Sequence, residues 1–374
     1  MKNTKLLVSY YEDAWIDLDV LPYKEYDYFL IVPFQRPKPG LDLSGCRTYV
    51  SFQAKRSTAL MKLLHGLKFT LFLPLLLRRY DEFLLIVPPY FHALAMPFLK
   101  FFGKHTASIA GDAYSEIAWE RLWQSSWLKR FLRKLSFPFT TALEYLGVTL
   151  SDRLFVVSRY LLKKYLRWGC TPTHVPNGAD VAAIAAIRPS RIVPEDYVFY
   201  FGGLLKWRGI DLLLHAFAEV KKRYTRPLKL VLVGGDQEQL KHYPEVRQLA
   251  AKLGDAVVMT GFLPHEQAIA ALKGARIAVL PNRNTLMSRT ISSIKVFEYI
   301  AAEVPQVCTD SGDHAAWVRK LKAGVVVKDT AQDIAKGILQ LLNPKSQKRI
   351  RRNCAKNKHL VDYRVQRKAL SVLA

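Results

Sequence analysis

In the second half of this chain, six short β-branched or aromatic runs are each followed by a helical pattern, and nothing else in the sequence constrains the fold as tightly. The runs fall at 197–201, 229–233, 256–260, 277–280, 306–309 and 325–327. Between the first two, Leu213, Ala216, Phe217 and Val220 recur at i, i+3, i+4 and i+7 ahead of a wet Lys221-Lys222-Arg223 end, which is a helix with one buried face. The first half repeats the alternation less cleanly, with runs at 6–11, 28–33, 48–52, 83–87, 106–110, 154–157 and 174–175. Strands that alternate with helices need crossover connections, so they build parallel sheets covered by helices. The expected fold class is therefore α/β with two Rossmann-like sheets in series. In such sheets ligands lie beyond the carboxyl ends of the strands.

Charge limits the class of partner. The 374 residues hold 56 Lys+Arg against 31 Asp+Glu, a net +25, which calls for an anionic partner: nucleic acid, a phosphate-bearing ligand or an anionic membrane. The excess is spread along the chain, and the tail 345–374 has ten basic residues and one acid. No nucleic-acid-binding motif accompanies it, so nucleic acid is not expected. Cys46, Cys170, Cys308 and Cys354 lie far apart, and the nine histidines have no HxxxH or HExxH spacing. Neither a disulfide framework nor a metal site is expected, and no cofactor is called for. The N-terminus turns acidic too early for an export signal, and the apolar run 69–77 is too short to cross a bilayer. A cytoplasmic location follows as the expectation.

The residues after the strands carry the chemistry. Gly202-Gly203-Leu204-Leu205-Lys206-Trp207-Arg208-Gly209 follows the first run and leads into a helix. Two readings fit: backbone N–H groups and cations turned on a phosphate, or a tight turn with solvated cations. Gly234-Gly235 and Gly261-Phe262-Leu263-Pro264-His265 end the next two runs. Farther on, Arg289-Thr290-Ile291-Ser292-Ser293 leads into a helix carrying Lys295 and Glu298, with Ser292 or Ser293 as the N-cap. Spaced i, i+3, Lys295 and Glu298 share a face, either as a surface ion pair or as groups aimed at an anion and at sugar hydroxyls.

In their order, VPNGAD (175–180), FGGLLKWRGID (201–211), LVLVGGD (230–236), TGFLP (260–264), ARIAVLPN (275–282), SSIKVFEYIAAEVPQVCTD (292–310) and AGVVV (323–327) resemble the group-1 (family 4) retaining glycosyltransferases. The resemblance is strong over about 150–345 and weaker upstream, where DAYSE (112–116) and DRLFVVSRYLLKKYLRWG (152–169) look like acceptor-lobe motifs. It implies the GT-B fold, two Rossmann-like domains facing across a cleft, with boundaries at 1–182 and 183–344 and a basic helical segment, 345–374, that crosses back to the first domain. It also implies a nucleotide-sugar donor and retention of anomeric configuration. Carried across, Gly203, Lys206, Arg208, Ser292, Ser293 and Lys295 would meet the donor diphosphate. Glu298 would meet the ribose, and Gly261, Phe262 and Leu263 the base. Asp112, at the end of a first-lobe strand, would face the reacting sugar, so Asp112 and Lys295 are the catalytic candidates. The resemblance departs at three places. Thr290 stands where the first of two paired glutamates belongs, leaving Arg289 and Thr290 as the donor-sugar candidates. Gly203 replaces an arginine, and Tyr10-Tyr11-Glu12-Asp13-Ala14-Trp15 replaces a glycine-rich loop.

The acceptor side offers less. Residues 119–139 interleave three tryptophans with Arg121, Lys129, Arg130, Arg133 and Lys134, and 55–79 is similarly basic and apolar. Such a pattern is either a core-facing stripe with a wet basic face or a surface that lies in the headgroup layer of an anionic membrane. With acceptors of this fold often lipid-linked, the expected partners are a nucleotide-sugar, a lipid-linked or surface-glycan acceptor and an anionic membrane face, which would make the protein peripheral. The alternatives are a scaffold of this fold that has lost turnover, motivated by Thr290 and the missing glycine loop, and a sugar-nucleotide epimerase.

Overall fold

The structure is a computed structural model and describes residues 4–9, 25–30, 45–50, 59–86, 92–113, 115–116, 127–235 and 243–373. The chain divides into two compact units, Met1–Pro176 with Arg367–Ala374, and Asn177–Gln366. The boundary thus lies six residues before the expected 182/183, and of the basic tail only its last eight residues belong to the first unit.

In the first unit seven parallel strands run in the order β3-β2-β1-β4-β5-β6-β7. They are β1 (Lys5–Ser9), β2 (Tyr26–Leu30), β3 (Thr48–Val50), β4 (Glu82–Ile86), β5 (His105–Ala110), β6 (Arg153–Val156) and β7 (Thr173–His174). Alternation along each strand sends Leu6, Val8, Phe83 and Leu85 to one face and Leu7 and Leu84 to the other. The first face is covered by α1 (Ala59–Leu77), through Phe69, Leu73 and Leu76, and by α2 (Met96–Phe101), through Met96 and Leu99. Farther along the same face, α3 (Trp127–Thr149) and α4 (Arg159–Arg167) cover Leu154 and Val156 with Val148, Leu161 and Tyr165. The opposite face, with Tyr26, Tyr28, Ala107, Ile109 and Phe155, receives Leu370 and Leu373 from the C-terminal segment. There the Tyr26 hydroxyl donates to the Leu373 carbonyl at 2.9 Å.

In the second unit six parallel strands run β10-β9-β8-β11-β12-β13. These are β8 (Asp196–Phe201), β9 (Leu228–Val233), β10 (Val257–Gly261), β11 (Ile277–Leu280), β12 (Gln306–Thr309) and β13 (Gly324–Val327). The helices are α5 (Val181–Ala186), α6 (Ile210–Arg223), α7 (Pro244–Leu253), α8 (His265–Gly274), α9 (Leu286–Thr290), α10 (Ile294–Ala301), α11 (Asp313–Leu321), α12 (Ala331–Leu342) and α13 (Pro344–Asn357). One continuous apolar cluster joins sheet and helices. Helix α6 buries the four residues that the spacing picked out, and Asp211 in its first turn and three cations in its last complement its dipole. In both sheets the order reverses beside the first strand, at β1/β4 and at β8/β11, and such a switch point opens a crevice beyond the strand ends.

All thirteen expected strands are present: 277–280 and 306–309 match end to end, and the described ends of the others shift by up to two residues. The outer parts of several expected runs (residues 10–11, 31–33, 51–52 and 87) lie outside the described residues, as do 117–126 of the tryptophan-rich stretch and the loop at Tyr10–Trp15.

Candidate functional site

At the switch point of the second unit β8 ends, and Gly202 turns the chain with φ at +144°. A Cβ placed on Gly202 would lie 2.6 Å from Nη1 of Arg208 and 2.7 Å from Cε of Lys295. The two cations, 87 positions apart in sequence, therefore converge over one glycine. A short 3₁₀ turn, Lys206–Arg208, delivers Arg208, and Gly209 closes it in the left-handed region at φ +65°. No side chain fits at Gly209, where a Cβ would sit 2.1 Å from the Pro281 carbonyl oxygen. Helix α10 delivers Lys295 in its first turn.

Tyr200 braces this corner. Its hydroxyl donates to the Gly203 carbonyl at 2.8 Å and receives a hydrogen bond from Arg208, while burial pushes its pKa up. The Arg208 guanidinium lies 4.7 Å from the Trp207 ring, and the Lys295 ammonium 5.8 Å from the Phe201 ring. Among the described residues neither cation has a carboxylate within ion-pair distance. Burial, followed by the charge of Arg208, lowers Lys295 to about 8, against a smaller opposing pull from Glu298. Two uncompensated cations sharing a half-buried corner store repulsion that a bound anion relieves.

Glu298 takes a partner other than Lys295. Its Oε1 accepts from His265 Nε2 at 2.6 Å, and this bond raises the histidine's pKa. The side chain of Glu298 is 9% exposed and that of His265 61%. Of the two readings of the i, i+3 spacing, the surface ion pair between Lys295 and Glu298 is not formed, because the carboxylate leans to α8 instead. Residue His265 carried no expectation of its own. Its only local signal was its place directly after the third glycine-ended strand.

The remaining candidates are distributed unevenly. Ser293 is the N-cap residue of α10, but its side chain makes no capping bond. The neighbouring Ser292 hydroxyl is buried without a partner. The Ser292 carbonyl accepts from Asn177 Nδ2 at 2.8 Å. Lys206 is exposed on the 3₁₀ turn. Gly261 ends β10 at φ +69°, its carbonyl accepts from Gly234 N–H at 2.8 Å, and Phe262 beyond it is 82% exposed. Leu263 packs against the unit's core. Arg289 is exposed and bonded to its own helix at Thr285, while Thr290 is fully buried with its hydroxyl on the Met287 carbonyl at 2.8 Å. The Thr290 side chain thus serves α9 rather than an open site. Asp112 belongs to the first unit, two residues past β5, and is half-buried. Among the described residues no group of three His, Cys, Asp or Glu side chains is placed to hold a metal ion.

Residues 195–344 match the family model described as Glycosyl transferases group 1. An uncharacterized glycosyltransferase of Methanocaldococcus jannaschii is 22% identical over 246 residues, 61% of this chain and 58% of that protein. The chain thus spans under two thirds of the length of the curated relative that it matches. Among solved structures, sucrose-phosphate synthase of Thermosynechococcus elongatus superposes with a TM-score of 0.74 at 15% identity, covering 99% of this chain and 97% of that one. Anabaena HepE, in complex with UDP and glucose, gives 0.69 at 14% identity over 99% and 98%. A glycosyltransferase of Rickettsia africae gives 0.68 at 14% identity over 99% and 97%. At such identities the likeness speaks for the fold, which is GT-B.

Proposed function

We propose that this chain, whose residues 195–344 match the group 1 glycosyltransferase model, moves a sugar from a nucleotide diphosphate donor to an acceptor with retention at the anomeric carbon. The observation that carries this reading is the pairing of Arg208 and Lys295 over Gly202 with no carboxylate to neutralise them. A departing nucleoside diphosphate gathers negative charge, and preorganised cations beside the free N–H groups of α10 lower the cost of that charge. The orphaned Ser292 hydroxyl at the same helix start is a further donor for a phosphate oxygen. Glu298 Oε2 would accept from ribose hydroxyls, and Phe262 and Leu263 would flank the base. Asp112 is our candidate for the polar group at the reacting sugar. The leaving phosphate itself can take the acceptor's proton, so the step requires no protein base.

For the acceptor we propose a lipid-linked or surface glycan reached at an anionic membrane. In the first unit α1 and α2 cover the same sheet face, and their outward rows are apolar: Leu71 is 78% and Phe101 84% exposed, with Leu75, Phe98 and Phe102 beside them. Arg78, just after α1, is exposed, while Lys100 and Lys104 are held by Asp152 and Asp81. No described helix is long and apolar enough to cross a membrane, and this surface suits attachment from one side.

The test is a thermal-shift screen against UDP, GDP, dTDP, ADP and their sugars, repeated on Arg208→Ala and Lys295→Met. One base should raise the melting temperature of the wild type by mass action and fail to do so in either variant. Shifts equal in all three proteins would remove the donor-site assignment. The buried, self-satisfied Thr290 is the observation that favours a scaffold without turnover. Release of nucleoside diphosphate from the preferred sugar nucleotide would exclude that reading.

A further inference from the structure

The Glu298 carboxylate is held by one oxygen. His265 and Glu298 come from different elements 33 positions apart, the first residue of α8 and the second turn of α10. Because the acceptor is a carboxylate oxygen, Nε2 must carry the hydrogen. The imidazole contributes little to the core, since most of it is exposed, while the carboxylate it bonds is buried. The Phe201 ring lies 6.2 Å from the imidazole and 5.8 Å from the Lys295 ammonium, so the pair and the cation share a neighbour. The effect is a carboxylate fixed at Oε1, with Oε2 left to accept, next to the corner where the cations meet. A group of that kind, beside a site for two phosphates, matches the vicinal hydroxyls of a ribose, whose O–H donors need a fixed acceptor.

We propose that His265 is a positioning residue that locks the Glu298 side chain for a ribose diol and so sets the preference for ribonucleotide over deoxyribonucleotide donors. The inference rests on the nucleotide-sugar reading above and deepens it. It assigns His265 no contact with the reacting atoms. The lock works through the rotamer of Glu298, so its loss should alter which nucleotide binds before it alters how tightly the diphosphate is gripped. Raised by Glu298, the histidine's pKa favours the imidazolium, which strengthens the bond as a charge-assisted one.

The experiment is calorimetric titration of wild type, His265→Ala, His265→Gln and Glu298→Gln. The probes are whichever of UDP, GDP and ADP binds most tightly, its 2′-deoxy and 3′-deoxy forms, and inorganic pyrophosphate. Wild type should prefer the ribonucleotide by about tenfold, the loss expected when a charged acceptor forfeits a hydroxyl donor. In His265→Ala the ratio should fall toward one while pyrophosphate affinity holds. His265→Gln, whose amide N–H can still donate to Oε1, should keep most of the ratio, and Glu298→Gln should lose it with His265 intact. A wild-type ratio in His265→Ala would overturn the proposal, and so would an equal loss for all probes, which marks a merely structural role. If wild type binds no nucleoside diphosphate, the donor reading itself falls. If it binds and discriminates while His265→Ala does so too, only the role of His265 falls.

Discussion

The two sheets share a strand order around their switch points, yet they are finished in opposite ways. In the second unit the core is one continuous cluster, and the polar groups gather at the strand ends, where Arg208 and Lys295 stay uncompensated. In the first unit the core is divided among three clusters, and charge is taken inside and neutralised. Glu144 is fully buried there, with Oε1 bonded to Lys164 at 2.7 Å and to the Tyr165 hydroxyl at 2.7 Å. Lys164 also reaches Glu116 at 2.9 Å. One unit leaves two cations at its strand ends without a carboxylate among the described residues, whereas the other pairs its buried charges within its own framework and leaves apolar rows outside. The same architecture thus differs between the units in where it leaves charge unpaired.

The largest way to break this comparison is inside the first unit. Lys164→Met strands a buried carboxylate and should cost about 3–5 kcal/mol. In urea denaturation followed by tryptophan fluorescence, the transition should move to lower concentration, and folded protein should retain its nucleoside diphosphate affinity. Loss of that affinity in the folded variant would mean that the framework cluster also serves the donor site.

Next in size is Arg208→Ala, which removes charged hydrogen bonds to a diphosphate and should weaken nucleoside diphosphate binding by about ten- to a hundredfold. Calorimetry checks it, with an unchanged circular-dichroism spectrum of the free variant as the control for folding.

The third prediction concerns pH. Lys295 loses its proton near 8 in the folded chain against 10.5 in its ordinary state. A diphosphate needs the ammonium, so affinity should be full below pH 8 and fall by up to about tenfold per unit above it. Lys295→Arg should flatten that slope. Folding stability responds with the opposite sign: the unfolded chain keeps this proton to higher pH, so the group's contribution to stability grows between pH 8 and 10.5.

The smallest effect on the protein itself belongs to its exterior. Leu71→Glu with Phe101→Glu should change stability by less than about 0.5 kcal/mol, since both side chains are already exposed. Flotation with vesicles of anionic phospholipid should nevertheless be lost. Retained flotation would reduce those rows to ordinary surface.

Local pattern was enough to find every strand, because period-2 runs and turn residues are written in neighbouring positions. It also singled out Arg208, Lys295 and Glu298 as candidates, one just beyond a strand and two on the opening turns of a helix, while their roles came from the resemblance. Partnership was another matter. The i, i+3 spacing of Lys295 and Glu298 left open whether they pair with each other, while the structure gives the carboxylate to His265 and sets the lysine beside Arg208. Both choices are made across strands, where no periodicity reaches. Thr290 shows the same limit in reverse: its position suggested a sugar contact, and its burial against Met287 assigns it to its own helix.

Leu370 and Leu373 close a face of the first sheet that is otherwise built from residues far earlier in the chain. On the ribosome, Leu7, Tyr26, Tyr28 and Phe155 must therefore wait through the making of the entire second unit before their cover arrives. The nascent protein carries an open greasy flank while the second unit is made, so the first unit is completed only after the second. Removing Arg367–Ala374 should release a chain prone to clumping, even with the corner of Arg208 and Lys295 fully formed.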